Sequence, residues 1–340
     1  MPEATTDPGA DEAIDPAQLG LAPDAPLPFE FRAGARPSPL VISFPHVGLA
    51  WPGELGPRPQ VNFRRNADYA VDRLYVRAEA LGAATIRARY SRLVVDLNRA
   101  EDDVSPDLVP DHPAPRPRPS TSTVALAGAT RRRPIRNRGV VWRHAIGNIP
   151  LLSTLDHASF AGRIAAFHRP YYAALAELLE RRRRRFGYAV LLDAHSMPGT
   201  ITGDLVLGTR DGASCAPTLI DAATRALSGP SPRAADRIRQ WPLDLTVDDP
   251  YRGGEIIAHF GRPRADVHAL QLEVNRGLYM DEYRLELGGI PSAERIAAGD
   301  HLEPRDRAQR RLAALLEAVD QLVIELSRPR EDETLRAAAE

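Results

Sequence analysis

The chain has 340 residues with 43% hydrophobic content, one cysteine and a formal net charge of -1. This length and composition allow one large buried core, and we expect one domain. The near-zero charge argues against nucleic acid and anionic membranes as partners. The single cysteine excludes an internal disulfide and a metal site made of several thiolates. Because no apolar run approaches transmembrane length, no membrane partner is expected.

The chain begins with a polar segment. Residues 1–25 are rich in Pro, Ala, Asp and Thr, which predicts a disordered N-terminal tail. They contain no basic region followed by an apolar one, so the sequence predicts a cytoplasmic protein. We expect the folded domain over residues 26–328 and a short C-terminal tail over 329–340.

The first predicted element of the domain is a buried-type strand at 39–44 (PLVISF), which leads directly to His46. Residues 68–81 then carry apolar side chains at helical spacing. A second strand is expected at 84–90, and residues 93–97 continue it or pair with it.

Polar side chains follow the apolar residues 93–95, namely Asp96, Asn98 and Arg99. The next segment, 101–138, contains the run PDHPAPRPRPSTST. Because proline fits neither a helix interior nor a central strand, this insertion predicts an exposed loop or flap.

Residues 155–185 have the strongest helical pattern in the chain, and Pro170 is expected to kink or divide that helix. A strand follows at 188–192 and ends in Asp193 and His195. In an extended segment these two side chains point to the same face, so Asp193 is expected to orient the His195 imidazole.

The remaining predicted elements are a strand at 204–207, a helix at 216–227, a strand at 267–272 that ends in Glu273, and a terminal helix at 306–326. Alternating strands and helices predict an α/β fold with a largely parallel sheet. Two arginine-rich runs, 130–138 and 181–185, contain no interleaved aromatic residues, so we interpret them as solvated faces rather than nucleic-acid sites.

Four predicted strands therefore bring imidazoles, carboxylates and an arginine toward one edge of a sheet, where open α/β sheets keep their sites. Of nine histidines, only His46 and His195 follow long β-type runs. Imidazoles and carboxylates of this kind are typical of a zinc hydrolase. A serine nucleophile is poorly supported because no G-x-S-x-G motif is present, and Cys215 has no neighbouring histidine.

Seven ordered motifs carry a family resemblance: PLVISFPHVG, DYAVDRLY, RYSRLVVDLNRAEDD, LLDAHS, DLVLGTRDGASC, PYRGGEIIAHFGRP and HALQLEVNRGLYMDE. Together they resemble the N-formylglutamate amidohydrolase family of histidine degradation over about residues 39–282, and more distantly the zinc carboxypeptidase and aspartoacylase group. The resemblance implies a single α/β domain with a mostly parallel or mixed sheet flanked by helices. It also implies zinc-dependent hydrolysis of an N-acyl amino acid, with N-formyl-L-glutamate as the first expectation.

The resemblance also implies roles for individual residues. His46 and His195 would bind zinc, and Glu273 would act as the general base. Asn98 and Arg99, in the DLNR motif, would contact the carboxylate and carbonyl groups of an anionic small-molecule substrate, and Arg99 would also neutralise charge near the scissile bond.

The third metal ligand follows less directly. Aspartoacylase-like enzymes have a glutamate three residues after the first histidine, where this chain has Leu49. The deformylase family has Asp-Thr-Asp-Trp at the position where this chain reads Asn-Ala-Asp-Tyr over 66–69. Asp68 is therefore the expected ligand, and Asp72 and Glu54 are the alternatives.

Several alternatives stay open. Arg252, in PYRGG, is either a clamp for a second substrate carboxylate or a turn arginine paired with a nearby acid. The protein is alternatively a zinc hydrolase of another N-acyl amino acid or small peptide, or a non-catalytic metal-binding member of the family. The sequence does not indicate the oligomeric state.

Overall fold

The computed structural model describes residues 14–22, 25–117, 138–229, 243–288 and 307–330, together with two short strands at 123–124 and 133–134. Most of the expected tails, at 1–13 and 331–340, lies outside the described residues. Within the proline-rich insertion, residues 118–122, 125–132 and 135–137 also lie outside the described residues.

Seven strands form one mixed sheet, in the spatial order β1-β3-β2-β4-β7-β5-β6. The four central strands, β3, β2, β4 and β7, are parallel to one another, whereas β1 pairs antiparallel with β3 and β5 pairs antiparallel with β7. The last strand, β6, is parallel to β5. The strands are β1 (Phe29–Arg32), β2 (Leu40–Phe44), β3 (Ala84–Ala88), β4 (Ala189–Met197), β5 (Leu205–Gly208), β6 (Leu245–Val247) and β7 (Val267–Asn275).

Helices cover both faces of the sheet. They are α1 (His157–Arg163), α2 (Arg169–Phe186), α3 (Pro217–Leu227), α4 (Glu255–Phe260) and α5 (Arg307–Ser327). The side chains of α3 and α5 pack with Leu192 of β4, whereas those of α1, α2 and α4 pack with the adjacent Leu191. Because successive side chains of a strand point to opposite faces, each helix layer buries every second residue of the sheet. The single α/β domain with a mixed sheet is confirmed.

Short elements complete the described chain. The 3-10 helices are Pro16–Leu19, Gly53–Leu55, Phe63–Asn66, Val71–Tyr75, Pro263–Ala265 and Arg276–Leu278. Two-residue strands pair Thr123–Val124 with Arg133–Pro134, His144–Ala145 with Ile149–Pro150, and Met280–Asp281 with Glu286–Leu287. No helix in the described ranges is long and apolar enough to cross a bilayer.

The long helix, predicted to kink or divide at Pro170, changes its hydrogen-bonding pattern just before that residue. A π-helical turn, Ile164–His168, separates α1 from α2, and Pro170 occupies the first turn of α2. Proline lacks an N–H group and is tolerated in a first turn, where that group has no partner within the helix. The arginine run at the end of α2 is only partly solvated, because Arg182 is buried and its guanidinium donates to the carbonyl groups of Leu40 and Leu178.

Two predicted elements are wrong in detail. Residues 68–81 form no α-helix but a 3-10 helix, Val71–Tyr75, which follows Ala70 in a left-handed conformation with φ of 62°. Residues 93–97 form turns rather than a strand. Two side chains start these turns, since Ser91 Oγ accepts from the amide of Leu93 and Asp96 Oδ1 accepts from the amide of Asn98. Such short polar side chains compete with strand pairing.

Part of the expected N-terminal tail is ordered against the domain. Asp15 caps the 3-10 helix Pro16–Leu19 by accepting from the amide of Ala17 at 2.9 Å. Leu19 is buried in the same apolar cluster as α1 and α2. Burial of this leucine side chain stabilises the packing of the segment against the domain.

Candidate active site

The carboxyl ends of β2, β4 and β7 bring three predicted site residues together. His46 follows β2 directly, and His195 on β4 is the register partner of Glu273 on β7. Two residues earlier, Asp193 is paired with Gln271. Because residues two apart on a strand share a face, all four side chains of the two strands emerge on the same side of the sheet.

His46, Asp68 and His195 form a buried group whose potential metal-binding atoms all lie within 4.8 Å of one another. Asp68 Oδ2 lies 2.8 Å from His195 Nδ1 and 3.3 Å from His46 Nδ1. The structure thus brings together the three residues that the sequence predicts as metal ligands. The alternatives lie elsewhere, since Glu54 is exposed and Asp72 lies 3.8 Å from Arg87.

Two contacts hold Asp68 in place. Its amide donates to the carbonyl of His46 at 2.9 Å, which ties the two segments together after β2. Its Oδ1 atom accepts from Arg276 at 3.1 Å, so that Oδ2 is left facing the two imidazoles. Arg276 itself also donates to the carbonyl of Ala67 and to Ser196 Oγ.

Each imidazole has a carboxylate on its other nitrogen. Asp193 Oδ2 lies 2.7 Å from His195 Nε2, the contact predicted from their two-residue spacing. Asp96 Oδ1 lies 2.7 Å from His46 Nε2. A carboxylate at Nε2 fixes that tautomer and leaves Nδ1 free to bind a metal. The sequence identified Asp96 as a residue of this edge but assigned it no role.

Asp96 is the centre of a buried charged network. Its Oδ2 atom accepts from the Arg92 guanidinium at 2.6 Å and from Trp142 Nε1 at 3.0 Å. Burial by itself would raise the pKa of Asp96, but Arg92 and His46 outweigh it and hold the pKa well below its usual range. Asp96 is therefore held in its charged carboxylate form next to His46 Nε2.

The charges of this group suit a divalent cation. Burial would raise the pKa of Asp68, yet hydrogen bonds from His195 and His46 hold it well below its usual value. Burial would lower the pKa of His195, yet Asp193 and Asp68 raise it well above its usual value. Two imidazoles and one carboxylate, brought together at this spacing, are a donor set typical of catalytic zinc sites.

Glu273 faces the same cavity and is 9% exposed. Gln271 Nε2 donates to its Oε1 atom at 2.9 Å, which orients the carboxyl group. Burial raises the pKa of Glu273 to about 7, although the neighbouring His195 opposes the shift. A carboxyl group with a pKa near the working pH is suited to proton transfer.

Asn98 connects the turn after β3 to the start of α4. Its Oδ1 atom accepts from the amide of Ile256 at 2.8 Å, and its Nδ2 atom donates to Gln271 Oε1 at 3.3 Å and lies 3.0 Å from His195 Nε2. A Cβ at Gly254 would lie 2.3 Å from Asn98 Nδ2, so only glycine fits there. Asn98 lines the cavity, and its amide group also contacts Gln271 and Ile256 of the protein itself.

The cavity has a volume of about 400 Å³ and combines the metal-binding group with several arginines. Arg99 lines it, whereas Arg252 does not. The Arg252 side chain is 60% exposed and pairs with Asp211 Oδ2 at 3.1 Å, which is the turn arrangement considered as its alternative. The cavity wall also includes residues to which the sequence analysis assigned no role, among them Arg92, Trp142, Gln271 and Arg276. Arg138, predicted to lie on a solvated face as part of the run 130–138, lines the cavity instead.

Comparisons with known proteins identify the family of this chain. Residues 38–280 match the sequence profile of the family described as N-formylglutamate amidohydrolase. The chain is 34% identical over 268 residues to an N-formylglutamate deformylase of Pseudomonas aeruginosa, covering 73% of this chain and 86% of that protein. It is 32% identical over 255 residues to the N-formylglutamate deformylase of Pseudomonas putida, covering 72% and 82%.

A solved structure extends the similarity to three dimensions. The crystal structure of N-formylglutamate amidohydrolase from Ralstonia eutropha JMP134 is 27% identical, with a TM-score of 0.67, and the match covers 92% of this chain and 99% of that one. The profile match alone spans more than half of the sequence. The chain therefore belongs to the N-formylglutamate amidohydrolase family and is an amidohydrolase that acts on a linear amide.

Proposed function

We propose that the protein is a zinc-dependent deformylase that converts N-formyl-L-glutamate and water to formate and L-glutamate. The observation that carries this proposal is one cavity that contains both the His46, Asp68 and His195 group and the carboxyl group of Glu273. Two relatives are named N-formylglutamate deformylase, and their alignments with this chain cover more than four fifths of each relative's length. These names support the proposed substrate.

His46 Nδ1, His195 Nδ1 and an oxygen of Asp68 are the atoms that would hold the zinc ion. When bound, Zn²⁺ supplies Lewis acidity toward the formyl oxygen and lowers the pKa of water toward about 7. Asp96 and Asp193 keep the two imidazoles in the required tautomer and orientation. Arg276 donates a hydrogen bond to the other oxygen of Asp68, Oδ1, which leaves Oδ2 for the metal.

Glu273 acts as the general base and then as the general acid of the reaction. Its carboxylate takes a proton from the attacking water as the water oxygen bonds to the formyl carbon. It then gives that proton to the amide nitrogen as the C–N bond breaks, so that formate and the free amine of glutamate leave. The hydrogen bond from Gln271 restricts rotation of the Glu273 carboxyl group during both transfers.

Arg99 and Asn98 act at the reacting end of the substrate. Arg99 lines the cavity and would neutralise charge near the scissile bond or the α-carboxylate. The carbonyl of Arg99 accepts from His168 Nε2 at 2.8 Å, which fixes the backbone from which this side chain extends. A role in histidine degradation and a cytoplasmic location stay predictions from the sequence.

The test is the hydrolysis of N-formyl-L-glutamate by purified protein. We expect formate and glutamate to appear in equal amounts, with activity lost after chelation and restored by added Zn²⁺. N-acetyl-L-glutamate and a short peptide are the comparison substrates, because they test the other acyl groups that this chemistry allows.

Two results would overturn parts of the proposal separately. Faster cleavage of the acetyl substrate or the peptide would assign the protein another N-acyl substrate. Full activity in the chelated protein, verified by elemental analysis as free of metal, would remove zinc from the mechanism.

A further inference from the structure

One wall of the cavity carries an excess of positive charge. Arg92, Arg99 and Arg138 all line it, and we refer to these three residues as the arginine cluster. The guanidinium groups of Arg92 and Arg138 both lie 4.7 Å from the centroid of the Trp142 ring. Stacking on an aromatic face is favourable for each guanidinium and leaves its edges available for hydrogen bonds.

Among the described residues, one carboxylate, that of Asp96, forms an ion pair with this cluster. Arg92 binds Asp96, but that carboxylate is already shared with His46 and Trp142. Within the described parts of the chain, neither the Arg99 nor the Arg138 side chain has a carboxylate within ion-pair distance. Burial and the charge of Arg92 lower the pKa of Arg138, and Arg99 acts in the same direction, whereas the charge of Asp96 opposes the shift. An anion in the cavity would relieve this repulsion.

The backbone places Arg138 firmly at this wall. The following residue, Gly139, has φ of 65°, and a Cβ there would lie 2.5 Å from the carbonyl of Asp103. Val140 then donates its amide to the carbonyl of Asp103 and accepts from the amide of Asp96, each at 2.7 Å. Arg138 is thereby tied to the turn that contains Asp96, although the two residues are far apart in sequence.

The position of Arg138 differs from that of Arg99. Arg99 follows Asn98, whose Nδ2 atom lies 3.0 Å from His195 Nε2, so the backbone of Arg99 is anchored beside the candidate metal ligands. Arg138 lines the cavity together with Trp142 and Ile146, whose apolar surfaces suit the methylene groups of an amino-acid side chain. A planar guanidinium beside such surfaces is suited to bidentate binding of a carboxylate at the far end of that side chain.

We propose that Arg138 binds the side-chain carboxylate of the substrate and determines the preference for an acidic over an isosteric neutral amino acid. This inference rests on the proposed deformylase function. It assigns to Arg138 the role that the sequence suggested for Arg252, and it makes Trp142 a positioning residue for the guanidinium.

The test compares N-formyl-L-glutamate with N-formyl-L-glutamine, which has the same shape without the charge. We expect wild type to prefer glutamate in kcat/KM, and Arg138→Met to lower the glutamate value by about 10- to 100-fold while changing the glutamine value by less than about threefold. Arg143→Met, an exposed arginine five residues later, is the matched control and should change neither value.

Arg138→Lys serves as a second variant, because it keeps the charge but lacks the planar fork. We expect it to retain part of the glutamate preference, and its circular dichroism and metal content establish that it is folded. A wild-type preference that persists in both variants would overturn the role of Arg138. Equal wild-type cleavage of both substrates would also overturn it and leave deformylation standing. Cleavage of neither substrate would refute the deformylase function itself.

Discussion

Each of the three candidate metal ligands has a charged partner behind it. The pairs are His46 with Asp96, His195 with Asp193, and Asp68 with Arg276. Partners of this kind fix the direction of a ligand atom and its protonation state, and their removal lowers metal affinity. The site is therefore a network in which changes away from the ligand atoms have measurable effects.

Replacing Asp193 with asparagine tests this network. The amide keeps the shape of the side chain but weakens its bond to His195 Nε2 and removes the charge that favours that tautomer. We expect Zn²⁺ to bind about 10- to 100-fold more weakly, measured by competition with a chromophoric chelator. Asp211→Asn, at an exposed site outside the cavity, is the control. Unchanged affinity in Asp193→Asn would show that His195 needs no orienting partner.

Glu273→Gln tests the proton-transfer role. The amide fits the same space but cannot take a proton, so we expect kcat/KM to fall by about 100- to 10,000-fold with metal content unchanged. Glu286→Gln, at an exposed position, is the control. A variant with near-normal turnover would remove Glu273 from the mechanism.

The same residue predicts a pH dependence. Glu273 is active as a carboxylate, so kcat/KM should rise as the pH rises through its pKa and level off above it. Burial raises that pKa to about 7, and a bound cation would favour the charged form, so the midpoint should lie at or below that value. The measurement is the pH profile of kcat/KM for wild type. This rise of kcat/KM with pH should be absent from the residual activity of Glu273→Gln. If the variant shows the same rise, another group is responsible for it.

At the scale of elements, two adjacent parallel strands carry the site. All nine residues of β4 are buried, because helices cover both faces and strands flank both edges. Such strands are held by packing on every side and move little. The side chains of Asp193, His195, Gln271 and Glu273 are therefore positioned by rigid elements, whereas Asp68 and Asn98 are held by turns and hydrogen bonds.

The terminal helix α5 is predicted to contribute substantially to stability. Leu322 is fully buried in the cluster that covers one face of the sheet, so Leu322→Ala leaves a cavity as well as losing apolar contacts. We expect the free energy of unfolding to fall by about 2–5 kcal/mol, measured by urea denaturation. Glu317→Ala, on the exposed side of the same helix, should change it by less than about 0.5 kcal/mol. Equal effects would mean that α5 is docked only loosely.

At the scale of the whole molecule, metal binding and folding should be linked. His46, Asp68 and His195 come from three distant segments, so the unfolded chain has no equivalent site and Zn²⁺ stabilises the folded state. Zinc at one hundred times its Kd should add about 2.7 kcal/mol, seen as a rise in Tm when the chelated protein is titrated. His195→Ala should show little of this rise. An equal rise in that variant would place the zinc elsewhere.

Local sequence was sufficient to predict much of the fold and part of the site. The apolar runs of β2, β4 and β7 identify buried strands, because side-chain pattern and strand burial are both local properties. His46, His195 and Glu273 could be placed at one edge for the same reason. The family motif identified Asp68, which the structure brings to both imidazoles.

Tertiary structure decided the remainder. Asp96 reaches His46 because residues 93–97 turn rather than extend, and Arg138 reaches the cavity because Val140 pairs with Asp96 across a long insertion. Arg252, next to glycines of the cavity wall, points to Asp211 instead. Charge and residue type are visible in a sequence, but the direction of a side chain on a turn depends on backbone contacts between distant segments. Those contacts form only when the sheet and its loops are assembled.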